Sequence, residues 1–172
     1  MAVMADSDST QKPEGVQRVA DFLQKAGHTH QPIMLADAAR TAQQAADALR
    51  VELGQIAKSI IFRRKSDDAA VLVITSGDKR VDETKVQALV CEGAAKLGRA
   101  DADFVKSKTG FTIGGVAPVA HLSPPVTLID QELFRFQTIW AAAGHPHAVF
   151  EVTPAALQTL SQAPVADVVS AT

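Results

Sequence analysis

Ser59–Ser76, "SIIFRRKSDDAAVLVITS", is the stretch whose reading decides the fold. Two runs rich in β-branched and aliphatic residues, "SIIFRRK" and "AAVLVITS", flank the polar triplet Ser66-Asp67-Asp68. Apolar runs of that length separated by turn-forming residues predict an antiparallel hairpin. Upstream, Pro13 to Ala26 reads as a helix. Val16, Val19, Ala20 and Leu23 fall at helical spacing, Pro13 stands near the start and Gly27 just after the end. "QPIML" reads as a short extended segment. Thr41 and Gln44 have capping-box spacing ahead of an Ala-rich helix to about Leu49, and "LGQIA" reads as a second short helix ending beside Lys58.

Downstream of the hairpin, "VDETKVQALV" returns to helical spacing, with Val81, Val86, Leu89 and Val90 expected on one face. Asp101 is placed to cap a helix through Lys108. "VTLID", "QTIWAAA" and "HAVFEV" read as three further strands. Thr153 and Pro154 mark a helix start, and "APVADVV" is either an edge strand or loose. Strands and helices are thus interspersed without a regular βαβ repeat or any internal repeat. The expected class is α+β with a mixed, curved sheet.

Composition narrows the function classes. A chain of 172 residues is most simply one domain, and with 47% hydrophobic residues it has the material for a packed core. Seventeen basic against nineteen acidic side chains leave a formal charge of −2, which argues against holding duplex DNA by bulk electrostatics. A lone cysteine, Cys91, allows no internal disulfide and no Cys-based zinc site, and reads as a small core residue. No run has the length of a membrane span, and "MAVMADSDST" lacks a basic region followed by an apolar one. A cytoplasmic protein is therefore expected, with residues 1–11 a mobile polar tail and 12–172 a single domain.

Most catalytic signatures are missing: there is no P-loop, nucleophile elbow or H-E-x-x-H. Two histidine pairs, His28/His30 and His145/His147, would each point one way on a strand. They have no Cys cluster or acidic partner nearby, so no metal is expected. Lys58 stands where a helix is expected to end and a buried strand to begin. On position alone a solvated lysine favouring the helix dipole is the simpler reading. "GFTIGGVAPVAH", Gly110 to His121, concentrates three glycines and a proline. Gly114-Gly115 with Pro118 would serve as a tight turn. The segment "IGGVAPVA" also carries no side chain able to do chemistry while offering uncovered backbone N–H groups, which, if convergent, bind a carbonyl or oxyanion. Trp140 reads as core or pocket wall.

Three segments in this order and spacing resemble the YbaK/prolyl-tRNA-synthetase-associated editing family. They are Lys58 in "QIAKSIIF", "GGVAP" about fifty-five residues further on, and "LFRFQTIWAAAGHPHAVFEVTPAAL". The resemblance spans about residues 14–162. It implies an α+β domain on a mixed, partly barrel-like sheet flanked by helices. The implied activity is hydrolysis of the ester joining a wrong amino acid to tRNA, without a cofactor. Lys58 would hold the 3′-terminal adenosine or its phosphate, with Ser59 beside it. Gly114, Gly115, Val116, Ala117 and Pro118 would form the loop that positions the carbonyl and stabilises the oxyanion, and His145 would contribute to the amino-acid pocket.

No general base is visible, so the neighbouring ribose hydroxyl is expected to help activate water. The "AAGHPH" segment looks more like the branches that clear Ala or other small residues than the branch that clears Cys from tRNA(Pro). Expected partners are mischarged tRNA, and either prolyl-tRNA synthetase or elongation factor for tRNA selection. Arg63, Arg64, Lys65, Lys79, Arg80, Lys106 and Lys108 are candidates to face tRNA phosphates, or simply a solvated surface. The alternatives are a non-catalytic nucleotide- or aminoacyl-tRNA-binding module and a synthetase-associated interaction domain.

Overall fold

In the computed structural model, which describes residues 13–36 and 41–171, the elements follow in chain order. They are α1 (Glu14–Lys25), β1 (Ile33–Met34), α2 (Ala42–Leu49), β2 (Ile56–Arg64), β3 (Ala69–Ser76), α3 (Glu83–Val90) and β4 (Leu97–Arg99). Then come α4 (Ala102–Thr109), β5 (Val126–Asp130), β6 (Ile139–Ala142), β7 (Ala148–Val152), α5 (Pro154–Ser161) and β8 (Val165–Ala166). The expected tail, residues 1–11, lies outside the described residues.

The hairpin forms as its sequence dictates. β2 and β3 pair antiparallel from Ala57 opposite Ser76 to Arg64 opposite Ala69. At the turn Asp68 takes the left-handed conformation (φ 55°), which Asp tolerates, and the Asp67 carboxylate accepts the Ala69 N–H. β3 is apolar at consecutive positions because both its faces are covered. Leu72 and Ile74 join a core with Val16, Val19 and Leu23 of α1, Phe111, and Leu157 of α5. Val71 and Val73 face Val86 and Val90 of α3 together with Val168 and Val169.

The sheet is mixed and open, in the order β1-β7-β6-β2-β3-β5-β8, with β4 pairing β2 off that path and helices flanking it. β2/β6, β3/β5 and β5/β8 are parallel; the remaining pairs are antiparallel. Caps set the helix ends as their residues suggest. Thr41 and Gln44 make the reciprocal capping box of α2, Asp101 accepts the Phe104 N–H, and Thr153 accepts the Ala156 N–H.

Several expectations need correction. "LGQIA" is not a helix leading to Lys58. A single 3₁₀ turn, Leu53–Gln55, is followed at once by β2, so Lys58 is the third residue of a strand and has no helix dipole to favour. Leu89 does not share the buried face of α3: Val86 and Val90 do, while Leu89 is exposed. β4 and the 3₁₀ turn Gln131–Arg135 were not expected, and neither histidine pair lies on a strand.

Candidate active site

The site arises from a fork in the sheet. One edge of β2 is paired with β3 throughout, and the other is shared between two strands. Ile56 and Ala57 pair with β6, and Phe62 to Arg64 pair with β4. Between those pairings, residues 58–61 border a gap, and a cavity of about 330 Å³ opens there. The gap follows from register, because β6 ends its pairing at Ala57 and β4 begins only at Phe62.

Small and apolar residues shape the cavity. α2 contributes Ala42 and Ala45, β6 contributes Trp140 and Ala142, β7 contributes Ala148 and Val149, and the loop contributes Ile113, Gly114 and Val116. Trp140 stands directly across from Ile56 in register, so its ring walls the cavity under α2. Among the described lining residues Lys58 is the one titratable group; Thr41 and Ser59 add hydroxyls. The Ser59 Oγ is buried without a hydrogen-bond partner among the described residues, a rare condition for a native hydroxyl that a ligand would relieve.

Lys58 has an unusual setting. It is half-buried and makes no hydrogen bond or ion pair among the described residues. Burial pushes its pKa below the ordinary lysine value; Asp78 opposes that fall and Arg80 adds to it. Asp78 does not neutralise it, because that carboxylate is held by Arg135 at 3.0 Å and by the Ser76 hydroxyl, which together keep the Asp78 pKa low. A partly desolvated ammonium without a counter-ion is a site for an incoming anion.

Opposite Lys58 lies the Gly-rich loop. Gly114 has φ 95°, a region that side chains avoid, and at Gly115 an added Cβ would stand 2.8 Å from the His145 backbone. The two glycines thus permit the turn and its contact with the 144–147 segment. The Gly115 N–H donates to Thr112 O (3.0 Å), while those of Gly114 and Val116 make no bond among the described residues.

Behind the loop, Arg18 of α1 donates through Nε to Ala120 O (2.8 Å) and through Nη2 to Thr109 O (2.9 Å), with its guanidinium 4.2 Å over the Phe111 ring. His121 Nε2 donates to Ala117 O (2.7 Å) and packs edge-on against Phe111. Both ends and the middle of the loop are therefore held from behind, including Ala120 at φ 67°.

The structure brings Lys58, Ser59, Gly114 and Val116 to one cavity. Ala117 is fully buried behind it, and Pro118 lines a different hollow on the loop's reverse. His145 reaches the loop but does not line the cavity, since its Nδ1 accepts the His147 N–H (3.1 Å); the neighbouring Pro146 does line it. Sequence reasoning missed the α2 contribution and the Arg18–His121 support. The signal for the first was the run of alanines in α2, whose small side chains leave space.

The fold and site define an aminoacyl-tRNA editing domain. The family model of that description matches residues 36–160, and the chain belongs to this family. It is 35% identical over 121 residues to the uncharacterized protein YwhH of Bacillus subtilis, covering 70% of this chain and 74% of that one. It is 31% identical over 111 residues to the proline–tRNA ligase of Lactobacillus helveticus, covering 64% of this chain and 19% of the ligase. A solved structure of a candidate trans-editing enzyme for prolyl tRNA synthetase superposes with a TM-score of 0.85 at 36% identity, covering 92% of this chain and 98% of that one.

Proposed function

We propose that the protein is a trans-acting deacylase that hydrolyses the ester of mischarged tRNA, with tRNA(Pro) carrying Ala, Cys or another small residue as substrate. The observation that carries this reading is Lys58. Among the described residues it is an unpaired, partly desolvated ammonium lining a small apolar cavity, and the Gly-rich loop that lines the same cavity carries two N–H groups that make no hydrogen bond there. In this reading the amino-acid side chain enters among Ala42, Ala45, Ala142 and Ala148, and Lys58 holds the phosphate of the terminal adenosine. The Ser59 hydroxyl bonds the bound substrate. Gly114 and Val116 donate to the carbonyl oxygen as it becomes an oxyanion, with Gly115, Ala117 and Pro118 setting the loop's shape. His145 shapes the pocket through its backbone contact with Gly115.

The chemistry asks little of side chains. An aminoacyl ester is already activated, so positioning water and binding the oxyanion suffice. Water attacks the carbonyl carbon, the bond to the ribose oxygen breaks, and the products are free amino acid and tRNA with its hydroxyl restored. With no carboxylate or imidazole among the described lining residues, the adjacent ribose hydroxyl takes the water proton's hydrogen bond. Exclusion of proline rests on cavity size. Discrimination by about one methylene is worth only about 1–3 kcal/mol, so overlapping small substrates are expected.

The test is release of labelled amino acid from tRNA(Pro) charged in turn with Ala, Cys, Ser and Pro. Release of one or more small residues with Pro-tRNA spared supports the reading; no release from any overturns it. A terminal 2′-deoxyadenosine substrate deacylated at full rate would remove the ribose hydroxyl from the mechanism.

A further inference from the structure

Lys58 borders a second hollow, of about 350 Å³, reached from the α3 side of the sheet. Its floor is apolar, formed by Ile60, Phe62 and Val81, and its rim carries Lys58, Lys79, Arg80 and the single carboxylate Glu83. Most other basic groups nearby are already matched. Arg63 pairs with Asp68 at 2.7 Å, Arg64 with Asp67 at 2.9 Å, Lys85 with Asp167 at 3.0 Å and Arg135 with Asp78 at 3.0 Å.

The rim cations differ. Lys79 has only a 3.8 Å approach to Glu132, and Arg80, like Lys58, makes no ion pair among the described residues. Arg80 is near enough to Lys58 to disfavour its charge. Asp78 favours the Lys58 charge more than Arg80 opposes it, but that carboxylate is already bound by Arg135 and Ser76 and does not line the hollow. There three cations face one carboxylate and suit an anion between them.

Taking the deacylase reading above as given, we propose that this hollow binds the nucleotide that precedes the terminal adenosine. The phosphodiester that joins it to the terminal adenosine lies among Lys58, Lys79 and Arg80, and its sugar and base rest on the Ile60–Phe62–Val81 floor. The acyl end occupies the cavity on one side of Lys58 and the RNA strand leaves over the other. The combination of cationic rim and apolar floor suits a single-stranded nucleotide, which presents a phosphate and an apolar base face together. Glu83 marks the limit of the anionic path.

The test compares alanyl-tRNA(Pro) with 3′-O-alanyl-adenosine, which lacks the preceding nucleotide. Changing Lys79 and Arg80 together to Ala should raise KM for the tRNA about 10-fold with kcat within about twofold. The slope of log KM against log salt should become shallower by about 0.7, the value for one phosphate lost on a single strand. Hydrolysis of alanyl-adenosine should not change, and Glu83→Gln should lower KM for the tRNA.

An unaltered KM and salt slope for the tRNA, or equal losses on both substrates, would overturn the proposal. Should the wild type hydrolyse neither, the deacylase reading fails by itself. Binding of the labelled trinucleotide CCA then reads the hollow directly: weaker binding by the double variant upholds the site, and equal binding overturns it.

Discussion

At the scale of single residues, the loop's support explains why a site without catalytic side chains can be precise. His121 Nε2 bonds a carbonyl, which only accepts, so that nitrogen carries the proton and the neutral ring protonates at Nδ1. Burial first, and the Arg18 charge as well, hold the His121 pKa below its ordinary value near 6.5, against the Ala117 carbonyl, which favours the charged form. A depressed pKa means the unfolded chain takes up more protons. The stabilisation is therefore complete above about pH 6.5 and is lost as pH falls below it. Urea midpoints measured at pH 7.5 and 5.5 should fall more for the wild type than for His121→Gln. Arg18→Met should leave the chain folded yet lower kcat/KM by about 10- to 100-fold, since it frees both ends of the loop and small misplacements are costly. A KM change alone, with kcat intact, would show that Arg18 does not position the loop.

At the scale of elements, the hairpin and most helices were legible because their signals are local: consecutive apolar runs, caps, and helical spacing. β4 was not, being three residues around Gly98 with no periodicity. Lys58 was misplaced at a helix end because "LGQIA" has helix-forming composition, whereas pairing of Ile56 with Trp140 draws the chain into the sheet. Tertiary pairing overrode propensity there. Lys58 and the Gly-rich loop were visible as motifs, but the cavity was not. It depends on where β6 and β4 release β2, a fact of long-range register. Gly115→Ala tests the loop's fit against His145: the added Cβ has backbone, not a flexible side chain, in its way. Activity should drop at least about 10-fold with thermal stability lowered, and unchanged activity would show that the contact yields.

At the scale of the whole molecule, two cores on either face of one open sheet hold the fork in place, and the described residues include no helix long and apolar enough to cross a membrane. Leu157→Ala in α5, a fully buried residue that lines neither hollow beside Lys58, should cost about 2–5 kcal/mol in denaturant unfolding without moving KM. Ala142→Leu should do the reverse, filling the cavity and abolishing release of small amino acids while the fold persists.

The most direct test of the central claim is single-turnover release of alanine from Ala-tRNA(Pro) by wild type and Lys58→Ala, with circular dichroism confirming equal folding. A loss of about 100-fold or more in the variant is the expected result. A folded Lys58→Ala protein that released alanine at the wild-type rate would contradict the account, because the ammonium around which the site is built would then be dispensable.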